Sequence, residues 1–395
     1  MKNANNNSKR RRRSRASEKS GFISSVMNRL DPVKGKPDYI FLGTVIVLIA
    51  FGIIMLFSAG TAKAYADFHD ATYFVKKQLV GVALGAFGML ITSKIDYHRY
   101  SGKLIGILYL GTAVLLFLVI AGLGRTVNGS TRWLFGFQPS EIAKAAIIML
   151  FAYNLSRQSG QREIKEFKKG FLPYLILLLI YAVLLLLEPH LSCTILICVT
   201  AMVMLYVAGA PIKYFLYTAI PAIPAVIVLI LLKPYMLDRI VTFANPFADM
   251  RGSGWQIVQS LYAIGSGGIF GVGLGQSRQK FQSLPEPHND FIFSVLSEEL
   301  GLIGAILLMA LFVILLVRGI KIAEKAPDMF GTLLVVGFVG IVTLQAIINI
   351  AVVTASVPNT GMPLPFFSYG STALSITMTE MGVVLNVSKQ TRSPL

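Results

Sequence analysis

Ten stretches of about 20 predominantly apolar residues run through this 395-residue chain, and a bilayer is the solvent that such stretches fit. They fall near 38–59, 74–93, 102–123, 141–156, 171–187, 193–210, 214–232, 291–317, 329–354 and 367–388. Hydrocarbon offers the backbone no hydrogen bonds, so each segment must satisfy its own amides and carbonyls as a helix. The expected fold is an all-α polytopic membrane protein with about ten transmembrane helices. Composition agrees: 54% of the residues are hydrophobic and 14% charged, where a soluble domain carries roughly 25% charged residues.

Loop charges orient these helices. With the N-terminus in the cytoplasm, alternation places Lys94, Arg99 and Lys103 inside, then Arg157, Arg162, Lys165, Lys168 and Lys169, then Lys213, then Arg318, Lys321 and Lys325, and finally Lys389 and Arg392. An odd number of helices breaks the pattern at the C-terminus, so ten with both termini cytoplasmic is self-consistent. Residues 233–289, before the eighth helix, become a large extracytoplasmic loop. Residues 1–37, with the run Arg10-Arg11-Arg12-Arg13, read as a disordered basic cytoplasmic tail, and residues 38–395 as a single transmembrane domain. Such a tail suits anionic membrane lipid, each basic residue near the surface adding about 1 kcal/mol. No folded base-reading motif accompanies it, so nucleic acid is not an expected partner of a chain whose net charge is +17. Cys193 and Cys198 have neither redox nor metal spacing, and His69, His98, His190 and His288 are scattered. No cofactor is evident.

Chemistry concentrates in polar islands. Leu284-Pro285-Glu286-Pro287-His288-Asn289-Asp290-Phe291 runs straight into a long apolar segment, which places the Asp290 carboxylate at a membrane boundary. Asp290 reads either as an N-cap of the following helix or as a functional acid. A second island holds Asn128-Gly129-Ser130-Thr131-Arg132-Trp133, then Gln138-Pro139-Ser140-Glu141 and Lys144. There Ser140 is the expected cap, Glu141 and Lys144 share a helix face and can neutralise each other, and Arg132 with Trp133 suits a headgroup at the interface. Glu188-Pro189-His190-Leu191-Ser192 forms a third. Residues 239–275 include Gly265, Gly267, Gly268, Gly271, Gly273 and Gly275, a density that permits either close phosphate approach or re-entrant packing. Pro358 through Ser371, with Ser368 near its end, is a proline-broken helix entrance.

Gln138-Pro139-Ser140-Glu141, the stretch Leu284 to Glu299 closing in Ser297-Glu298-Glu299-Leu300-Gly301, and Gly361 to Gly370 together resemble the SEDS family (shape, elongation, division and sporulation), whose members include FtsW, RodA and SpoVE. The resemblance covers nearly everything from residue 38 onward, and the basic tail makes it closest to the division-type branch. It implies a peptidoglycan glycosyltransferase of the bacterial cytoplasmic membrane, acting at the septum. Such an enzyme polymerises lipid II on the outer face and works with a class B penicillin-binding transpeptidase and other division proteins. Two motifs depart from the family pattern. Pro189-His190-Leu191-Ser192-Cys193-Thr194 stands where Pro-Asp-Leu-Gly-Thr is common, so an acidic role is not carried over to His190, and Glu188 is the neighbouring acid. Ser368-Tyr369-Gly370-Ser371-Thr372-Ala373 stands where Ser-Tyr-Gly-Gly-Ser-Ser is usual.

The implied reaction needs a base for a sugar hydroxyl, and cations for a departing lipid pyrophosphate. Passing from an α-linked donor to a β-linked glycan requires inversion, which one base can serve without a covalent sugar intermediate. Asp290 is the candidate base, with Glu286 in support. Arg132, Lys144, Arg239, Arg278 and Lys280 are the candidate pyrophosphate ligands, and Trp133, Glu141 and Ser368 are further candidate substrate contacts. A divalent cation (Mg2+ or Mn2+) could share the task, although the sequence shows no cage for one. Two rival readings use the same islands: a lipid II flippase or transporter in which Asp290 gates a passage, and a non-catalytic division scaffold in which it only caps a helix. Clustering of the charged islands on one side favours the enzyme.

Overall fold

The computed structural model describes residues 35–391, except 128, 129, 135, 251, 253 and 283. The basic tail through residue 34, Asn128, Gly129, Arg251 and Arg392 lie outside the described residues. A helix stands at each of the ten apolar segments: α1 (Tyr39–Phe68), α2 (Tyr73–Lys94), α3 (Gly102–Leu118), α4 (Pro139–Ser156), α6 (Leu172–Leu187), α7 (Leu191–Val207), α8 (Ile212–Leu232), α12 (Ile292–Lys325), α13 (Met329–Val353) and α14 (Ser371–Lys389). Between them lie a hairpin of β1 (Arg125–Val127) and β2 (Ser130–Trp133), and four short helices: α5 (Gln158–Glu163), α9 (Pro234–Ala244), α10 (Trp255–Ser266) and α11 (Gln279–Gln282).

Among the described residues, seven helices are long and apolar enough to cross a membrane; α4, α7 and α14 are shorter or more polar. Local chemistry sets several starts. Asp38 accepts from the Phe41 amide at 2.9 Å to cap α1, and Asp328 accepts from Gly331 at 2.8 Å to cap α13. Ser140, expected as a cap, lies instead inside α4: Gln138 holds the cap position and Pro139 opens the helix, because proline's missing N–H is no loss in a first turn.

Small residues close the bundle. A Cβ on Gly81 of α2 would lie 2.5 Å from the Ser371 carbonyl oxygen of α14, so the two backbones meet directly, as helices do in lipid where close packing drives association. At one end, Asp38 pairs with Arg318 at 2.5 Å and its amide donates to Ser388 at 3.1 Å, tying α1, α12 and α14 together. Helix α8, interrupted by Pro221 and Pro224, buries none of its apolar window against the rest.

The glycine-rich run takes the re-entrant form. Helix α12 breaks at Gly301, whose φ of 66° and ψ of −162° only glycine adopts readily. The loop after α10 inserts there: the amides of Val272 and Gly273 donate to the carbonyls of Glu298 and Glu299, both at 3.0 Å, and Leu302 donates to Gly268 at 2.9 Å. Those loop amides repair the broken helix and so are not arranged as a phosphate cradle.

Candidate active site

Asp290 sits at the mouth of α12, on the turn that Glu286 opens. Glu286 adopts φ 49°, and its carbonyl and carboxylate accept from the amide of Asn289 at 3.0 Å and from its side chain at 2.7 Å. The cap position of α12 belongs to Phe291 and carries no side-chain cap bond, so Asp290 does not serve the helix as an N-cap. Its half-buried carboxyl is raised to about 6, first by desolvation and then by Glu286, while Arg239 of α9 and Arg132 of β2 pull the other way. A Cβ on Gly361, where φ is 64°, would come within 3.4 Å of Asp290 Oδ2; the 358–370 loop therefore packs directly on this acid.

The backbone of the Asp290 turn is docked through three successive carbonyls, two on that loop and one on α13. His288 O accepts from the Tyr369 amide at 2.9 Å, Asn289 O from the Ser368 hydroxyl at 2.7 Å, and Asp290 O from the Asn349 side-chain amide at 2.8 Å. Ser368, expected as a substrate contact, is buried and fully engaged here, since its hydroxyl also accepts from the Leu364 amide at 2.7 Å. The hydroxyl thus braces the turn that carries the acid.

The expected cations separate. Arg132 and Arg239 lie near enough to act on Asp290. Arg132 also donates to the carbonyls of Glu188 and Pro189, which fixes the hairpin over the turn between α6 and α7, with Trp133 beside it opposite Arg125 in the hairpin register. Lys144 pairs with Glu141 at 2.8 Å inside the bundle and donates to Gln345 at 3.0 Å, as the shared helix face suggested for the pair. Lys280 is committed elsewhere: it pairs with Glu299 at 2.7 Å and donates to Ser58 at 3.0 Å and to the Gly275 carbonyl at 2.8 Å, with its side chain 2% exposed. A lysine so enclosed organises the loop and is not presented to a ligand. Arg278 is exposed, its backbone amide held by Glu298 at 2.9 Å.

Beneath Arg132, Glu188 is 2% exposed and neither carboxyl oxygen has a hydrogen-bond partner among the described residues. Burial raises it to about 8, against a smaller opposing effect of Arg132. His190, buried beside Arg132 and Lys144, is pushed well below its usual range and stays neutral, so it does not replace an acid. Sequence reading missed Gln345 and Asn349. The signal available was two amides four residues apart, hence on one face, in an otherwise apolar helix.

The family model described as cell cycle protein, covering FtsW, RodA and SpoVE, matches residues 38–393. The probable peptidoglycan glycosyltransferase FtsW of Trichlorobacter lovleyi is 40% identical over 355 residues, 89% of this chain and 93% of that protein. Stage V sporulation protein E of Bacillus subtilis is also 40% identical, over 91% of this chain and 99% of its own length. Among solved structures, a chain from a peptidoglycan synthase complex studied for the coordination of polymerization and crosslinking aligns with a TM-score of 0.73 at 29% identity, covering 89% of this chain and 97% of that one. The rod shape determining protein RodA of Thermus thermophilus aligns at 0.63 and 27%, over 90% and 98%. Sequence and fold thus agree over nearly the whole described length, and the chain belongs to the FtsW, RodA and SpoVE family of cell cycle proteins.

Proposed function

We propose that this protein is a peptidoglycan glycosyltransferase that polymerises lipid II during cell division, with Asp290 as general base. The relatives named as glycosyltransferases support the activity. The observation that carries the role of Asp290 is a half-buried carboxyl, released from helix capping and raised to about 6, flanked by two arginines. In the reaction, Asp290 takes the proton of the acceptor sugar hydroxyl as its oxygen bonds to the anomeric carbon of the donor. The carbon–oxygen bond to the diphosphate breaks, its electron pair leaves with undecaprenyl diphosphate, and the configuration inverts. Arg132 and Arg239 offset the growing charge on the leaving group, and exposed Arg278 is a further cation for the diphosphate. Among the described residues no three His, Cys, Asp or Glu side chains group as metal ligands. Asp290 and Glu286 are nonetheless carboxylates of the kind that share Mg2+ or Mn2+ with substrate phosphates, where such an ion supplies charge neutralisation.

The same reading places the protein in the bacterial inner membrane at the septum, with ten crossings, both termini cytoplasmic and residues 233–289 outside. Its partners are a class B penicillin-binding transpeptidase, other division proteins and anionic lipid at the tail; the structural likeness to a synthase complex supports the first. The test is polymerisation of labelled lipid II by purified full-length protein, with and without the transpeptidase. Asp290→Asn should still bind lipid II and its partner while glycan synthesis falls by about 10²- to 10⁴-fold, the range for a positioned base. A folded Asp290→Asn that polymerises like the parent ends this assignment.

A further inference from the structure

We infer that Asn349, buried in the last turns of an apolar helix, is the residue that sets the position of Asp290. The inference rests on Asp290 being the base. Asn349 is 1% exposed on α13, where an uncompensated amide is costly. Its side-chain nitrogen directs both hydrogens at backbone carbonyls of two different segments: Asp290 O at 2.8 Å and Met362 O at 2.6 Å. Both partners are acceptors, so the nitrogen must face them and the orientation of the amide is determined. Its own oxygen has no partner among the described residues, which leaves donation as the purpose of the group.

One turn below, Gln345 repeats the device. It donates to Pro363 O at 2.9 Å and accepts from Lys144 at 3.0 Å. The 358–370 loop is broken by Pro358, Pro363 and Pro365, so it has few amides with which to hold itself, and two consecutive carbonyls, those of Met362 and Pro363, are held by these side chains. Asn349 alone also grips the acid's own residue. Because Gly361 of the same loop lies against the Asp290 carboxyl, the amide fixes at once the acid and the wall that desolvates it. Gln345 joins the loop to Lys144 and makes no bond to the acid's residue.

The test uses full-length protein in detergent with fluorescent lipid II, measured for binding, turnover and pH dependence. Asn349→Leu keeps the volume and removes both donors. Lipid II affinity should stay within about twofold while turnover drops by about 10- to 100-fold, as a displacement near 1 Å at a reacting centre can produce. Freed from Gly361, the Asp290 carboxyl should gain water, so the acid limb of the rate profile should move to lower pH, with Glu286, Arg132 and Arg239 still facing it. Ser368→Ala, which releases the adjacent Asn289 carbonyl, should give a smaller fall and a shift in the same direction; it serves if Asn349→Leu does not fold. An unchanged acid limb, with affinity and thermal stability falling together, makes Asn349 a strut and overturns the inference, as does parental turnover. If Asp290→Asn is inactive in the same assay while Asn349→Leu is normal, only the positioning role fails; if Asp290→Asn is active, the base itself is misassigned.

Discussion

Two acids outside the bundle's long helices, Asp290 and Glu188, are raised by the same cause and differ in what they can do. As the proposed base, Asp290 must lose its proton before it can accept another, so turnover should rise with pH through about 6, with Glu286 adding to the elevation and the arginines limiting it. Glu188 is buried more completely, without a partner for its carboxyl, and keeps its proton to about 8. The unfolded chain releases that proton near the ordinary 4.5, so between about 4.5 and 8 the folded state binds more protons than the unfolded one. Stability therefore falls as pH rises across that window and levels off above it. Thermal melts of the detergent-solubilised protein from pH 5 to 9 should show the decline, and Glu188→Gln should make it shallower. An equally steep decline in that variant would assign the pH dependence to another group. Asp290 was legible in the sequence because its island is contiguous. The three bonds that hold its backbone were not, since Asn349, Ser368 and Tyr369 lie about 60 to 80 residues away and only the fold brings them near.

At the scale of the element, the helices were legible and their interruptions were not. Hydropathy alone places ten helices, because backbone hydrogen bonding in lipid leaves no alternative over such lengths. The break of α12 at Gly301 is invisible to hydropathy, as the apolar run continues on both sides and the loop that repairs it comes some 30 residues earlier. The hairpin β1–β2 escaped for the opposite reason, being too short and polar to carry a periodic signal. The pair Lys280–Glu299, which pins this loop to α1 through Ser58, gives a thermodynamic test. Lys280→Met or Glu299→Gln alone leaves a buried charge or its partners unmatched and should destabilise by about 3–5 kcal/mol, whereas the double variant should recover most of that loss. Denaturation of the four proteins in a double-mutant cycle measures the coupling; strictly additive losses would show that the pair does not act as a unit.

For the whole molecule, the topology proposed from loop charges predicts which surfaces meet the outside. In a background lacking Cys193 and Cys198, a cysteine at exposed Lys233 should react with an impermeant maleimide in intact cells, and one at Lys168 only after permeabilisation. The reverse pattern would invert the membrane orientation and remove the site from the outer face. The docking of three successive carbonyls also bears on biosynthesis. Donors for the Asp290 turn come from residues 349, 368 and 369, and α14 packs its backbone against α2. A ribosome delivers those donors after α1 to α12, so a nascent chain can be inserted and mostly helical while its Asp290 turn has nothing to rest on. Translation thus withholds a seated Asp290 turn until residues 349–369 are made. A chain truncated before α13, and so without residues 349, 368 and 369, should be an inert membrane protein, open to rescue by the missing segment supplied as a separate polypeptide.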